Sequence, residues 1–463
     1  MLDIGTNYRL RGISLTKTDY GLTNDQSYPF YYSQRAQAHI GGRFSPNIEF
    51  MTQFQALSVA GSSGSITNPS VNPAGNRYPN TNFSPWIQWA YMKANRLYDM
   101  PVDLTIGRQP ILLGDGLILS DDDLGLTGLR LDSRLPWYDL QTNLFAFKAL
   151  QNATGKSGKD IYGLEVTKPT KNVRYQVSVV SEHDSTGSVY IRPSENASPT
   201  NQTFLTNFPG QTYSSMFNFA TSQITRTFYD ARVETRLLEG GFLKAEVALQ
   251  NGHVSRDPSL ATSSATLMGY SKDVTLGGYA FLVSGGLFTR FSKYGPIEIH
   301  GLFGLASGDS GGSTDNSFNP SMGHRFDGME RSGFGEYYGA TLYDAMPSSS
   351  YGATASTPSV SGLPPGNSGL RVIGAGVTTH PTSLLSIGID YYVYTSQEST
   401  SKNLLSPAPA ESSLGTELDI GAGFAYTNYL TFKATYAMFS PGKAYGAFQD
   451  NATRFAIEAV GHF

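Results

Sequence analysis

Cysteine is missing from the 463 residues, which removes disulfide scaffolds, thiolate metal sites and thiol catalysis from consideration. The same absence suits a chain that crosses an oxidising compartment, where stray thiols mispair. Charge is scarce as well, at 15% of residues, and a soluble protein so poor in charge normally carries long Leu, Ile and Val runs. Those runs are also missing, and no stretch approaches the roughly 20 apolar residues of a membrane helix. Neither sign of charge dominates: 33 Lys and Arg stand against 37 Asp and Glu, so nothing marks a nucleic-acid partner. Residues 1–12 lack the basic start and apolar core of a secretion signal, and read as mature sequence from which an export signal has been removed.

What the chain does have is glycine and aromatics, with 50 Gly, 28 Tyr and 26 Phe. A transmembrane barrel reconciles these features, because its strands alternate lipid-facing apolar residues with lumen-facing polar ones. Period-two alternation is plain in several segments. In 229–237, Tyr229, Ala231, Val233 and Leu237 alternate with Asp230, Arg232, Glu234 and Arg236. In 242–250, Leu243, Ala245, Val247 and Leu249 alternate with Lys244, Glu246 and Gln250. In 416–426 and 430–438 the apolar rows are Leu418 to Tyr426 and Leu430 to Met438, set against Glu417, Asp419 and Lys433. Aromatics near strand ends, among them Trp86, Trp89, Tyr391, Tyr392 and Tyr394, suit an interfacial girdle. The charged row recurs in strand after strand, as a wet lumen requires.

The connections have a rhythm of their own. Short links such as Ser45-Pro46-Asn47, Pro169-Thr170-Lys171-Asn172 and His380-Pro381-Thr382-Ser383 take turns with long ones at 16–30, 61–82, 110–125, 183–224, 252–273, 307–367 and 396–413. Counting the intervening segments gives about eighteen strands, an even number as bacterial barrels have. The expected fold is therefore all-β: one transmembrane antiparallel barrel over 1–463, in a bacterial outer membrane and in contact with its lipid and lipopolysaccharide. Short links are expected to be periplasmic turns, long ones extracellular loops, and both termini periplasmic. No plug domain is expected before the first strand. A soluble propeller would repeat its links in blade-sized groups of four, and these do not. The final segment alternates Phe455, Ile457, Ala459, Gly461 and Phe463, ending on an aromatic residue as bacterial outer-membrane proteins do.

The candidate pore-lining residues are Arg9, Arg11, Arg35, Arg108, Arg130, Asp132, Arg174, Arg232, Glu234, Arg236, Lys433 and Arg454. Fixed charge keeps a lumen hydrated and sets its selectivity. Across neighbouring strands opposite charges pair for roughly 0.2–1 kcal/mol each and brace the wall. A subset of arginines at a constriction would instead meet carboxylates or sulfates on a solute, which the planar guanidinium grips at two points. Arg108 shares parity with Leu104 and Ile106, so without a bulge it points toward lipid or sits at the rim. Asp121, Asp122 and Asp123 are a weak Ca²⁺ candidate in a probable outer loop, with a plain solvated acidic loop as the simpler alternative. The 307–367 link is long enough to fold inward as a gate or constriction. The seven histidines are dispersed without triad or metal spacing, so neither an enzyme nor a cofactor is expected.

Five stretches together resemble the alginate export family of outer-membrane porins. They are Tyr8-Arg9-Leu10-Arg11; Leu104-Thr105-Ile106-Gly107-Arg108-Gln109 with Gly114-Asp115-Gly116; and Leu126-Thr127-Gly128-Leu129-Arg130-Leu131. The others are Ala306-Ser307-Gly308-Asp309 with Phe318-Asn319-Pro320 and Gly323-His324-Arg325-Phe326, and Leu414-Gly415-Thr416-Glu417-Leu418-Asp419 with Phe439-Ser440-Pro441-Gly442. The resemblance implies an eighteen-stranded monomeric pore and export of a polyuronate along a basic constriction. Here the lumen row is nearly balanced in charge, which argues against strong selection for a polyanion. The function expected is passive diffusion or export of a hydrophilic solute, with an oligo- or polysaccharide as candidate. The alternative is a barrel that sheathes or scaffolds a periplasmic or lumenal partner, such as a cytochrome conduit or a lipoprotein.

Overall fold

The computed structural model describes all residues except 1, 18–26, 61–80, 122–123, 137, 152–157, 187–220, 238–239, 257–272, 290–294, 312, 322–325, 328–329, 332–333, 339–362, 364–366, 400–410 and 447–448. Among the described residues eighteen long strands form the wall. The first nine are β1 (Leu2–Thr16), β2 (Tyr28–Ser45), β3 (Ile48–Val59), β4 (Trp86–Ala94), β5 (Val102–Gln109), β6 (Leu126–Leu135), β7 (Leu140–Gln151), β8 (Gly158–Pro169) and β9 (Val173–Asp184). The rest are β10 (Thr221–Leu237), β11 (Gly241–Arg256), β12 (Val274–Thr289), β13 (Ile297–Ala306), β14 (Leu370–Thr379), β15 (Leu385–Thr395), β16 (Ser413–Ala425), β17 (Leu430–Pro441) and β18 (Ala452–His462). Each pairs antiparallel with the next, and β18 pairs with β1 in the register Asn7↔His462. The seam extends to the last residue: Thr6 and Phe463 exchange two backbone hydrogen bonds, at 2.7 and 2.9 Å. The sheet is thus a closed barrel, as its alternating links imply, and closure leaves no unpaired edge.

The wall shows why these sequences make strands. Along one parity of every strand lie large apolar residues that remain exposed, such as Leu164, Val177, Leu249, Ile299, Ile373 and Ile389. Half-exposed isoleucines in consecutive strands make sense only against lipid, where apolar groups lose nothing by facing outward. The other parity carries Arg9, Arg35, Gln55, Arg232, Glu246 and Glu417, which are buried or half-buried.

Two features were not legible from alternation. At the long-link end the inward row turns apolar and is covered by the chain's own links. One inner core gathers Phe145, Phe147, Ile161, Val180 and Phe228 from β7–β10 under Ile111, Leu113 and Leu117–Leu119 of the 110–125 link. A second gathers Ile13, Leu15, Tyr394, Phe439 and Ala452 under Tyr337 and Tyr338 of the 307–367 link. The strands bordering the links 183–224 and 252–273 also run further than their lipid-type alternation. There Ile224, Val254, Val274 and Leu276 pack inward as a small core. In that zone His183 pairs Thr225, Thr225 pairs His253 and His253 pairs Thr275, all on the outward parity. Apolar-in and polar-out is the pattern of a water-solvated sheet, so β9–β12 continue beyond the apolar band.

Candidate functional site

The inner surface is organised by two turns that enter the lumen and dock on the wall. The first belongs to the 110–125 link. Its apolar flanks, Ile111-Leu112-Leu113 and Leu117-Ile118-Leu119, fold back on each other, with the Leu113 N–H donating to the Leu119 carbonyl at 3.0 Å. The tip, Gly114-Asp115, then reaches β10 and β11. The Asp115 backbone N–H donates to Glu246 at 2.8 Å, and its carboxylate meets Arg232 at 3.0 Å and Lys244 at 3.8 Å. Gly114 has φ +59°, and a Cβ there would lie 2.5 Å from the Glu246 carboxylate, so no other residue fits without moving the wall.

The second turn, residues 334–338, docks on β15–β18. The Tyr337 and Tyr338 N–H groups donate to the two oxygens of Glu417 at 2.6 and 3.0 Å, and the Glu336 N–H donates to Asp419 at 2.9 Å. The Glu336 carboxylate in turn accepts from Lys433 at 2.6 Å and Arg454 at 3.1 Å. Tyr394 donates its hydroxyl to the Phe334 carbonyl at 2.8 Å, and the Tyr338 ring stacks on Phe439 with centroids 4.5 Å apart. Burial opposes ionisation of Glu336, yet Arg454 and Lys433 outweigh it and hold the carboxyl below the usual range.

A further stretch of the same long link, 307–321, crosses to β8–β11. Arg226 donates to the Asn319 carbonyl at 2.6 Å, the Asn319 N–H donates to Gln250 at 2.8 Å, and Lys159 donates to the Ser321 carbonyl at 2.8 Å. Beneath them Glu182, fully buried, pairs with Arg226 at 2.6 Å and Lys159 at 2.8 Å and accepts from the Ser321 hydroxyl. The stretches around Asn319–Ser321 and Phe334–Tyr338 of the 307–367 link are therefore seated on the inner wall.

The residues singled out in the sequence are placed in several different settings. Arg232, Lys433 and Arg454 hold the two turns. Arg11 binds Glu458, with its Nε 2.6 Å from the carboxylate and Arg9 at 4.0 Å, while Arg130 pairs with Asp132 at 2.9 Å and Arg232 with Glu234 at 3.1 Å. Arg35 donates to Gln55 at 2.7 Å at the start of a band of amides, in which Gln37 and Gln53 both donate to Gln88, at 2.9 and 2.8 Å. Arg174 and Arg236 are exposed at the short-turn ends of β9 and β10. Arg108 stands apart from the inward row: it donates to the carbonyls of Gln88 at 3.0 Å and Leu124 at 2.8 Å, tying the 110–125 link to the wall. Asp121 accepts from the Gly125 N–H at 3.1 Å and from the Trp89 indole at 3.4 Å, so it acts as a brace within its loop. Asp122 and Asp123 lie outside the described residues, and among the described residues no trio of His, Asp or Glu is arranged for a metal.

Lys159, Glu182, Arg226 and Glu336 were not singled out in the sequence. The first three sit at strand ends beside long links, where parity is hard to carry across. Glu336 lies in a link with no periodicity. The apolar 111–119 stretch was the available signal, since a link that greasy does not project into water.

With this geometry in place, the chain can be set beside known proteins. No protein-family model matches it, and no curated protein does. Solved structures do. OccK8 (OprE) of Pseudomonas aeruginosa superposes with a TM-score of 0.55 at 10% identity, covering 100% of this chain and 98% of that one. OccK9 (OpdG) of the same organism gives 0.51 at 11% identity, covering 100% and 99%, and a BenF-like porin of Pseudomonas fluorescens Pf-5 gives 0.50 at 11%, covering 100% and 99%. The fold is that of a porin. At such identities the likeness extends to the barrel and stops short of any solute, and the alginate export family is not shown by these matches.

Proposed function

We propose that this chain is a bacterial outer-membrane porin through which a hydrophilic solute diffuses down its gradient. One observation carries the reading: a closed barrel whose outward row is apolar in every strand while its inward row carries paired and half-exposed charge. Charged wall groups keep an interior wet, and a barrel of eighteen strands is wide enough to leave an aqueous channel. The porin fold of the matched structures supports the same reading. We place the short turns and both termini in the periplasm and the long links outside, against lipopolysaccharide. An oligo- or polysaccharide exported in the manner of the alginate export family is our candidate solute, supported by the order of the five sequence stretches. Links that dock inside the barrel take space a lumenal partner protein would need, which favours the channel over the sheath.

Planar-bilayer recording of the purified barrel tests this. Stepwise insertion of an ohmic conductance is expected. A detergent-stable, folded barrel that inserts without passing current would remove the channel function.

A further inference from the structure

The two docked turns come from different links and reach different walls, yet they are seated alike. Each presents a Gly-acid pair, Gly114-Asp115 and Gly335-Glu336, with the glycine at positive φ and pressed against a wall carboxylate. One backbone N–H of the first turn donates to Glu246 and two of the second donate to Glu417, and in each turn the acid reaches two wall cations. Beside each acceptor on the same face stands a second acid: Asp230 is the register partner of Ala248, two residues from Glu246, and Asp419 lies two residues along β16 from Glu417. All four are nearly inaccessible, at 1% for Glu246, 0% for Glu417, 3% for Asp230 and 5% for Asp419. Among the described residues neither carboxylate oxygen of Asp230 has a hydrogen-bond donor, nor has one of Asp419. Carboxyl groups in contact and shielded from water share a proton, because two adjacent anions repel without solvent to screen them.

We propose that the two carboxyl pairs, Asp230–Glu246 and Asp419–Glu417, are proton-dependent latches that hold both turns inside the lumen. With one proton per pair, a single negative charge faces the turn's N–H donors and the site is matched. When that proton leaves as pH rises, a second buried anion appears beside the first, the pairs separate, and the turns lose their seats. The groups facing the first pair are Asp115, Arg232 and Glu165, with Lys244 and Glu234 beyond them. Facing the second are Glu336, Tyr392 and Tyr394, with Asp390 next along the wall and Lys433 and Arg454 reached through Glu336. Loss of the contacts that Glu336 makes through its carboxylate belongs to low pH and is a separate event.

The inference rests on the channel reading, and the test separates the two. Single-channel conductance in KCl is recorded from pH 6 to pH 10 for the full chain and for D230N/D419N. In that variant an amide donates to Glu246 or Glu417 permanently, so no proton is required. The native barrel is expected to show at least a twofold rise in conductance toward pH 10, and the variant a flat profile. G335A, which forces its turn off Glu417, is expected to start above the native level at pH 6 and to keep only the part of the rise that comes from the first turn. Should the double variant fail to assemble, as judged by gel mobility with and without heating, D419N and D230N alone must each remove part of the rise. A conducting native barrel with a flat profile, or variants that keep the native rise, would overturn the latches and leave the channel intact. No conductance at any pH would overturn both.

Discussion

At Gly335 the absence of one methyl group decides where a turn can rest. A Cβ there would stand 2.6 Å from Glu417, on a backbone with φ +82° that side chains resist. Gly335→Ala is expected to unseat the turn at a cost of about 1–3 kcal/mol, the usual range for overpacking, and hydrogen exchange at Tyr337 and Tyr338 checks it. Glu336 contributes a pH limb whose sign follows from its neighbours. Its folded-state pKa is depressed, so its contribution is present above the unfolded carboxylate value and fades as pH falls through the folded one. Protection of the same two amides should therefore drop in acid, and Glu336→Gln should flatten that drop. A persistent acid limb in the Gln variant would assign it to another group. Arg9 and Arg11 stand beside Glu458, so Arg9→Ala with Arg11→Ala leaves an unopposed carboxylate on the wall. Selectivity is expected to shift toward cations, read as a reversal potential in a salt gradient; an unmoved potential would take both arginines out of the filter.

At the scale of elements, the links matter as much as the strands. The 110–125 link is held by its apolar flanks as firmly as by charge: Leu113 and Leu117–Leu119 are all 0% exposed. Replacing Leu117 and Leu119 by Ser is expected to free the link while the strands persist, so conductance rises without loss of the heat-dependent gel shift. Unchanged conductance would mean this link does not narrow the passage. The extension of β9–β12 past the apolar band depends on a core that has four members among the described residues. Val254→Asp puts an unpaired carboxylate among them, and local protection over 252–256 is expected to vanish while the rest of β11 stays protected.

For the whole molecule, the strand number and the closure were readable because they rest on the two strongest signals a barrel sequence carries. One is period-two alternation, as in 229–237 and 430–438; the other is the exchange of short and long links. The lumen was only half readable. Parity placed Arg9, Arg11, Arg35, Arg130, Arg232, Lys433 and Arg454 on one face, and the structure adds their partners: Asp132 and Glu234 along the same strands, Gln55 and Glu458 on neighbouring ones, and Asp115 and Glu336 from links. Glu336 lies nearly a hundred residues before Lys433, and no local pattern links them. The docked turns were also hidden, since the docking depends on a Gly-acid pair meeting a carboxyl pair across the barrel. The outward row predicts that the chain needs detergent to stay monodisperse and gives a β-rich spectrum. Abundant helix would be incompatible with the barrel.

The uneven strand lengths have a geometric consequence. β4 and β5 span 9 and 8 residues, whereas β10, β11 and β12 span 17, 16 and 16. The rim at the long-link end is therefore uneven, with a dip over β4 and β5 flanked by a rise toward β2 on one side and toward β10–β12 on the other.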